Sequence, residues 1–173
     1  MNYTIDKPKG IDHFIQKIQS DLYKKLGWDN LEMYGRVYKN PSKAKGITLE
    51  AYQGKKEYKD VFTNDKKNAS VFFIDENEHK TTNGVYYSAE VKIVFMVNLS
   101  KLYPEVANRA DTDAQVHCAK LVGKHKIFTI TGIEKGIETI FKGINTDGIK
   151  LTDLQPYHVF AIVGNLKYQL NYC

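Results

Sequence analysis

The side chains best suited to chemistry lie close together between residues 111 and 118. Asp113 and His117 are four residues apart, so in a helix they would share a face and could hold a metal ion together with Asp111. Cys118 follows His117 directly, and a helix turns such neighbours about 100° apart, which makes them a poor nucleophile–base pair. Ligands of mixed type without a further anchor do not define a metal site. We therefore expect His117 to be a core histidine.

A second group of titratable residues lies in a polar stretch further upstream. Asp75, Glu76, Glu78 and His79 could bind calcium, but their spacing is not that of an EF-hand loop. The segment 123–126 also lacks the phosphate-binding Gly-Lys-Ser/Thr motif. The sequence therefore predicts an exposed hairpin tip here, and it predicts no catalytic residue, no metal, no cofactor and no enzymatic activity.

The basic residues are unevenly distributed along the chain. The net charge of the 173 residues is +5, and residues 1–70 alone hold 14 basic and 9 acidic side chains. A solvated lysine surface is one interpretation. The alternative is a nonspecific nucleic-acid surface in residues 52–67, where lysines alternate with Tyr52, Tyr58 and Phe62. The candidate DNA-facing residues are Lys55, Lys56, Lys59, Lys66 and Lys67.

The two cysteines and the hydropathy of the chain indicate where the protein is found. Cys118 and Cys173 form neither a disulfide framework nor a zinc site, which favours a reducing compartment. The first residues carry no apolar signal segment, and no stretch has the length of a membrane span. We expect assembly in a cytoplasm and no contact with a membrane through a spanning segment.

Two segments alternate between apolar and polar residues for longer than most strands do. Odd positions from Val85 to Leu99 are apolar, and even positions from Phe160 to Tyr172 are apolar or glycine. A strand over 85–99 would reach about 50 Å, whereas a compact chain of this size is only about 40 Å across. Such strands must bend or project beyond the body. Antiparallel pairing of 85–99 with 158–172 would bring together the two halves that are apolar on both faces.

Helical periodicity recurs in three other segments. The spacing of apolar residues predicts helices over 11–26, 105–122 and 132–143, with Thr131 and Glu134 as a capping box for the third. Residues 1–10 form an N-terminal arm, and nothing in the composition divides the rest of the chain. We predict one domain over 1–173 with an α+β fold, in which a mostly antiparallel sheet built on the two long strands carries the helices.

The segments 98–104 (Asn-Leu-Ser-Lys-Leu-Tyr-Pro) and 108–113 (Asn-Arg-Ala-Asp-Thr-Asp) resemble the strand-to-helix turn of ring proteins of crAss-like phages. The order of the elements is similar to that of tail-terminator-like proteins of tailed bacteriophages. This resemblance implies a virion structural protein of the neck or tail that forms a homo-oligomeric ring, six- or twelve-fold. It also implies contacts to the portal or to adjacent ring proteins, and a lumen that passes genomic DNA.

A ring of identical subunits needs two different, complementary patches on each subunit. We expect one patch on the half of the long strands that is apolar on one face only, because an exposed strand edge and its tyrosines can extend a neighbouring sheet. The expected interface residues are Tyr86, Ser88, Glu90, Lys92, Leu166, Lys167, Tyr168, Leu170 and Tyr172.

Overall fold

An amphipathic helix follows the N-terminal arm. The computed structural model describes residues 1–64, 66–149 and 153–170, and in it helix α1 spans Ile11–Leu26. Its buried face includes Ile15, Ile18 and Leu22, which repeat at helical spacing. Gly27 ends the helix in the left-handed conformation, with φ of 64°. The helix predicted over 11–26 is therefore confirmed.

The strands form one mixed, mostly antiparallel sheet. In the described part of the chain it has eight strands in the order β4-β3-β2-β5-β6-β8-β7, and β1 adds to β2. The pairs β1–β2 and β2–β5 are parallel and the others are antiparallel. The α+β class with a mostly antiparallel sheet is confirmed. The strand bounds are β1 Asn2–Tyr3, β2 Leu31–Ser42, β3 Gly46–Gly54, β4 Glu57–Asp60, β5 Ala69–Thr81, β6 Tyr86–Asn98, β7 Phe128–Lys135 and β8 Tyr157–Gln169.

The longest pairing in the sheet joins β6 and β8 antiparallel, at the positions predicted as 85–99 and 158–172. Tyr86 lies opposite Gln169 at one end of the pair. At the other end Met96 lies opposite Val159, where both faces of both strands are apolar. Residues 171–173 fall outside the described residues, and with them the predicted end of the last strand.

Both faces of the sheet carry a hydrophobic core. Helices α1 and α3 (Asp111–Val122) cover the first face, with Ile18, Phe95 and Phe160 among the buried residues. On the second face, Phe141 and neighbours around helix α4 (Ile137–Ile140) pack with Phe72 and with residues of the β3–β4 hairpin. The buried residues on this second face extend only over the half of the sheet nearer Met96. The rest of that face carries polar residues.

The helix predicted over 105–122 is shorter and is preceded by a separate turn of helix. Asn98 ends β6 and its side chain accepts a hydrogen bond of 3.2 Å from the backbone N–H of Lys101, which caps α2 (Leu99–Leu102). Helix α3 begins only at Asp111, where two acidic residues in its first turn interact favourably with the helix dipole. Residues 105–110 are therefore loop, and Pro104 does not open the helix.

The helix predicted over 132–143 is wrong for most of its length. Strand β7 extends to Lys135, and only Ile137–Ile140 is helical. The two residues of the expected capping box have other partners. Thr131 donates to the carbonyl of Val163 on β8 at 3.2 Å, and Glu134 forms an ion pair with Lys92 on β6 at 3.0 Å. Both contacts connect this segment, as part of β7, to other strands of the sheet.

Candidate assembly surface

On the second face of the sheet, outside the hydrophobic core around Phe141, strands β5, β6 and β8 carry polar side chains. We call this surface the polar face. Pairing places Ser88 of β6 opposite Lys80 of β5 and Lys167 of β8, so alternate residues of all three strands share this side. A depression of about 220 Å³ lies within it. The residues of the polar face are Glu76, Glu78, Lys80, Tyr86, Ser88, Glu90, Lys92, Asn165 and Lys167.

The interface predicted from the sequence divides between the two sides of the sheet. Tyr86, Ser88, Glu90, Lys92 and Lys167 lie on the polar face, and Tyr86 has 59% of its surface exposed. Leu166 and Tyr168 point to the other side and are buried, with 0% and 4% exposed. Leu170 follows the end of β8 and is 50% exposed. Tyr172 lies outside the described residues.

Strand β8 is not the free edge of the sheet that the interface prediction assumed. It pairs with β6 on one side and β7 on the other, and the backbone N–H of Lys167 donates to the carbonyl of Ile127 at 2.8 Å. The physical reason is β7, which pairs with β8 and continues through residues 132–135 of the segment predicted as a helix. Around Ser88 and Lys167 the sheet has at least three strands, β5, β6 and β8.

Strand β7 occupies one end of the strand order, and its second edge has no strand partner among the described residues. The N–H of Gly136 donates to the carbonyl of Val159 at 3.1 Å, which fixes the alternation of inward and outward backbone groups. By this alternation Ile133 and Lys135 direct their backbone N–H and C=O groups away from β8. The Ile133 side chain is also 41% exposed. This edge can accept a further strand.

Half-buried polar contacts lie on the helix side of the sheet, opposite the polar face. The guanidinium of Arg36 forms a two-pronged ion pair with Asp12 of α1 at 2.7 and 2.9 Å, and it approaches Asp75 at 3.4 Å. The His79 ring lies between Asp75, at 3.1 Å, and the hydroxyl of Tyr168. These contacts connect α1 to β2, β5 and β8.

A carboxylate, an imidazole and a hydroxyl in this order resemble a catalytic triad, but their surroundings favour a structural role. Burial raises the pKa of Asp75, and the charges of His79 and Arg36 only partly oppose this. Burial also raises the pKa of Tyr168, whose ring is almost fully enclosed. A buried, protonated phenol is neither a nucleophile nor accessible to a substrate.

The five lysines predicted to face DNA do not form one surface. Lys59 lies 3.3 Å from Glu32, and Lys67 also forms an ion pair with this carboxylate. Lys55, Lys56 and Lys66 are exposed. Two of the five charges are therefore neutralised within the chain.

The pairing of Glu32 makes the stability of the protein dependent on pH. Burial by itself would raise the pKa of Glu32, but hydrogen bonds from Lys67 and Tyr34 and the charges of Lys67 and Lys59 outweigh it and lower the pKa to about 2. A carboxyl whose pKa is lowered on folding contributes stability that is present above its unfolded value of 4.5 and is lost as the pH falls toward 2.

We expect the stability difference between the wild type and the variant Glu32→Gln to be constant from pH 7 to 5 and to shrink between pH 4.5 and 2. Urea denaturation at a series of pH values measures it. The variant Glu78→Gln is the matched control, because the Glu78 side chain is 79% exposed. A Glu32→Gln difference that does not change below pH 4.5 would contradict this assignment.

The candidate residues around His117 lie in a packed aromatic group. Nδ1 of His117 lies 3.2 Å from the hydroxyl of Tyr103, and its ring meets Trp28 edge-on. Burial lowers the pKa of His117 and raises the pKa of the fully buried Cys118 thiol. In the described part of the chain, no three His, Cys, Asp or Glu residues are grouped so that they could hold a metal ion.

Comparison with known proteins gives no relative. No protein-family model matches the sequence, and no curated protein and no solved structure matches it either. Within the described residues, no helix combines the length and the apolar character needed to cross a membrane.

Proposed function

We propose that this protein is a structural subunit of the neck or tail of a tailed bacteriophage, where it forms a homo-oligomeric, tail-terminator-like ring. The observation that carries the proposal is the outer edge of β7, which pairs with no strand in the part of the chain that the structure describes and carries the exposed Ile133. Beyond the register shift between Ile130 and Gly132, the edge offers the outward backbone groups of Ile133 and Lys135 for pairing with another chain. A subunit of a permanent assembly uses such an edge.

The position of the edge supports a heterologous contact. Strands β4 and β7 end the sheet at opposite sides of the strand order, and the polar face lies on β5, β6 and β8. Contact between unlike patches generates a ring when the rotation between subunits closes. The ring lines or seals the channel through which genomic DNA passes and docks the portal or the adjacent ring. The resemblance to tail-terminator-like proteins implies six or twelve subunits. The strand-to-helix turn capped by Asn98 lies in the segment that carries this resemblance.

Mass spectrometry of purified phage particles tests this function directly. A phage that carries this gene is expected to contain the protein in mature virions, at a copy number that is a multiple of six. The protein is assembled in the host cytoplasm and released with the particle. Its absence from purified, DNA-filled virions would contradict the proposal.

A second candidate function rests on the β3–β4 hairpin. Tyr52 and Tyr58 are exposed, their ring centres lie 5.3 Å apart, and the exposed Lys55 and Lys56 form the turn between their strands. Aromatic rings beside lysines suit the bases and phosphates of single-stranded nucleic acid. The same surface serves either a separate binding module or the lumen of a ring.

Salt dependence of binding tests this second function. For single-stranded DNA we expect the logarithm of affinity to fall with the logarithm of salt concentration, with a slope of about −0.7 for each phosphate neutralised. The double substitution of Lys55 and Lys56 by glutamate is expected to abolish binding. The control Lys120→Glu changes an exposed lysine of α3 and leaves binding unchanged. Undetectable binding by the wild type at low salt would exclude the hairpin as a nucleic-acid site.

A further inference from the structure

The N-terminal arm lies along the edge of β2 and is held there by specific contacts. Tyr3 of β1 pairs with Tyr34, and the N–H of Met33 donates to the carbonyl of Met1 at 2.9 Å. The amide of Gln19, which is fully buried, donates to the carbonyl of Tyr3 at 2.7 Å. The arm thus adds a short strand that is anchored from α1.

Two hydrogen bonds and two contacts to the Tyr3 ring also hold the arm in its groove. The Gln16 side-chain amide accepts from the N–H of Ile5 at 2.8 Å and donates to its carbonyl at 3.1 Å. The ring of Tyr3 stacks on Tyr34 with 4.7 Å between ring centres, and Lys59 Nζ lies 4.2 Å from the Tyr3 ring centre. The groove therefore recognises the sequence of residues 1–5 through both backbone and side chains.

The segment that connects the arm to α1 is strained in this arrangement. Lys7 has φ of 47°, a left-handed conformation that is unfavourable for a residue with a side chain. Pro8 follows it, and a residue before proline favours an extended backbone. Straightening of the segment 6–9 would relieve this strain. A strained, short hinge favours exchange of a terminal segment between identical subunits.

We infer that residues 1–5 are exchanged between neighbouring subunits, so that the arm of one copy occupies the groove of the next. This inference rests on the proposed ring. Five Cα–Cα steps join Ile5 to Gly10 and span at most about 18 Å, so the neighbouring groove must lie close to the start of α1. That start lies at the expected interface, since a Cβ at Gly10 would lie 3.7 Å from Leu170. The arm and the groove are unlike patches, as a ring requires.

Photo-crosslinking in an oligomer that mixes ¹⁴N-labelled and ¹⁵N-labelled copies of the protein tests the exchange. Ile5→benzoylphenylalanine places a photoreactive group beside Tyr52 and Gln53, which line the same cavity. Proteins labelled with ¹⁴N and ¹⁵N are mixed, unfolded and refolded together, and the oligomer is isolated by size before illumination. Exchange is expected to make half of the crosslinked peptide pairs mixed in label.

The outcomes separate this inference from the proposed function. An oligomer whose crosslinks join only peptides of the same label overturns arm exchange and leaves the ring standing. A protein that stays monomeric overturns both.

A pair of hinge variants gives a second test. Lys7→Gly removes the strain of the closed arm and is expected to lower the mixed fraction about fivefold. Lys9→Gly makes the same change at a position without positive φ and is expected to leave the fraction unchanged. Equal mixed fractions in the two variants would show that hinge strain does not drive exchange, which overturns the strained hinge as its cause.

Discussion

Replacing Ile133 with proline is expected to abolish assembly while the subunit still folds. The backbone N–H of Ile133 points away from β8, so proline at this position removes no hydrogen bond within the chain. A strand added by a neighbour would lose a donor and meet the proline ring. An unpaired acceptor in a buried contact costs about 1–3 kcal/mol, which weakens each contact by a factor between about 5 and about 150. Sedimentation velocity measures the loss of the oligomer.

The matched control for this variant is Ile133→Thr. It shortens the same side chain but keeps the backbone donor, so assembly is expected to persist with reduced affinity. Thermal denaturation of both variants checks that the subunit remains folded. Normal assembly of Ile133→Pro would mean that the β7 edge takes no part in the interface.

Replacing Gly164 with alanine is expected to cause the largest loss of stability of any single methyl addition to the sheet. A Cβ at Gly164 would lie 2.5 Å from the Phe128 ring and 2.5 Å from the carbonyl oxygen of Thr129. Neither can move freely, because Phe128 is buried and the carbonyl belongs to the neighbouring strand. Overpacking of this kind costs about 3 kcal/mol. Chemical denaturation measures the difference.

Gly132 supplies the control, because it lies on β7 and a Cβ there would meet no atom within 4 Å. We expect Gly132→Ala to change the free energy of unfolding by less than about 0.5 kcal/mol. Equal stability of the Gly164→Ala and Gly132→Ala variants would contradict the pairing of β7 with β8. That pairing also determines which edge of the sheet is free.

Local patterns predicted the first helix and the alternation of the two long segments, since both depend on residues close in sequence. The spacing of Ile15, Ile18 and Leu22 is helical, and the left-handed Gly27 ends the helix. Alternation likewise predicted which residues of β6 and β8 face the same side. The pairing that brings together the halves apolar on both faces places Met96 opposite Val159, and Phe141 with its neighbours packs on the second face there.

The segment 132–143 shows where local patterns fail. Thr131, Ile133 and Glu134 fit a capping box and a helical spacing, yet their partners Val163 and Lys92 are distant in sequence. A register shift between Ile130 and Gly132 also breaks the two-residue alternation that would have indicated a strand. Tertiary contacts outweigh a weak local preference in such a segment.

Only part of the candidate surface could be predicted from the sequence, because some of it depends on contacts between distant residues. The even-numbered Leu166 and Tyr168 belong to the buried face by the same alternation that places Lys167 on the polar face. The neighbour of β8 on its other side could not be predicted without the position of β7. The ion pairs of Lys59 and Lys67 with Glu32 also join residues that are far apart in the sequence.

The oligomeric state of the purified protein tests the central claim most directly. Native mass spectrometry at micromolar concentrations is expected to show one dominant species with six or twelve times the chain mass of 19.8 kDa. A ring explains such a closed species, because each subunit then uses both unlike patches. A protein that is only monomeric at every concentration up to the solubility limit would contradict the account.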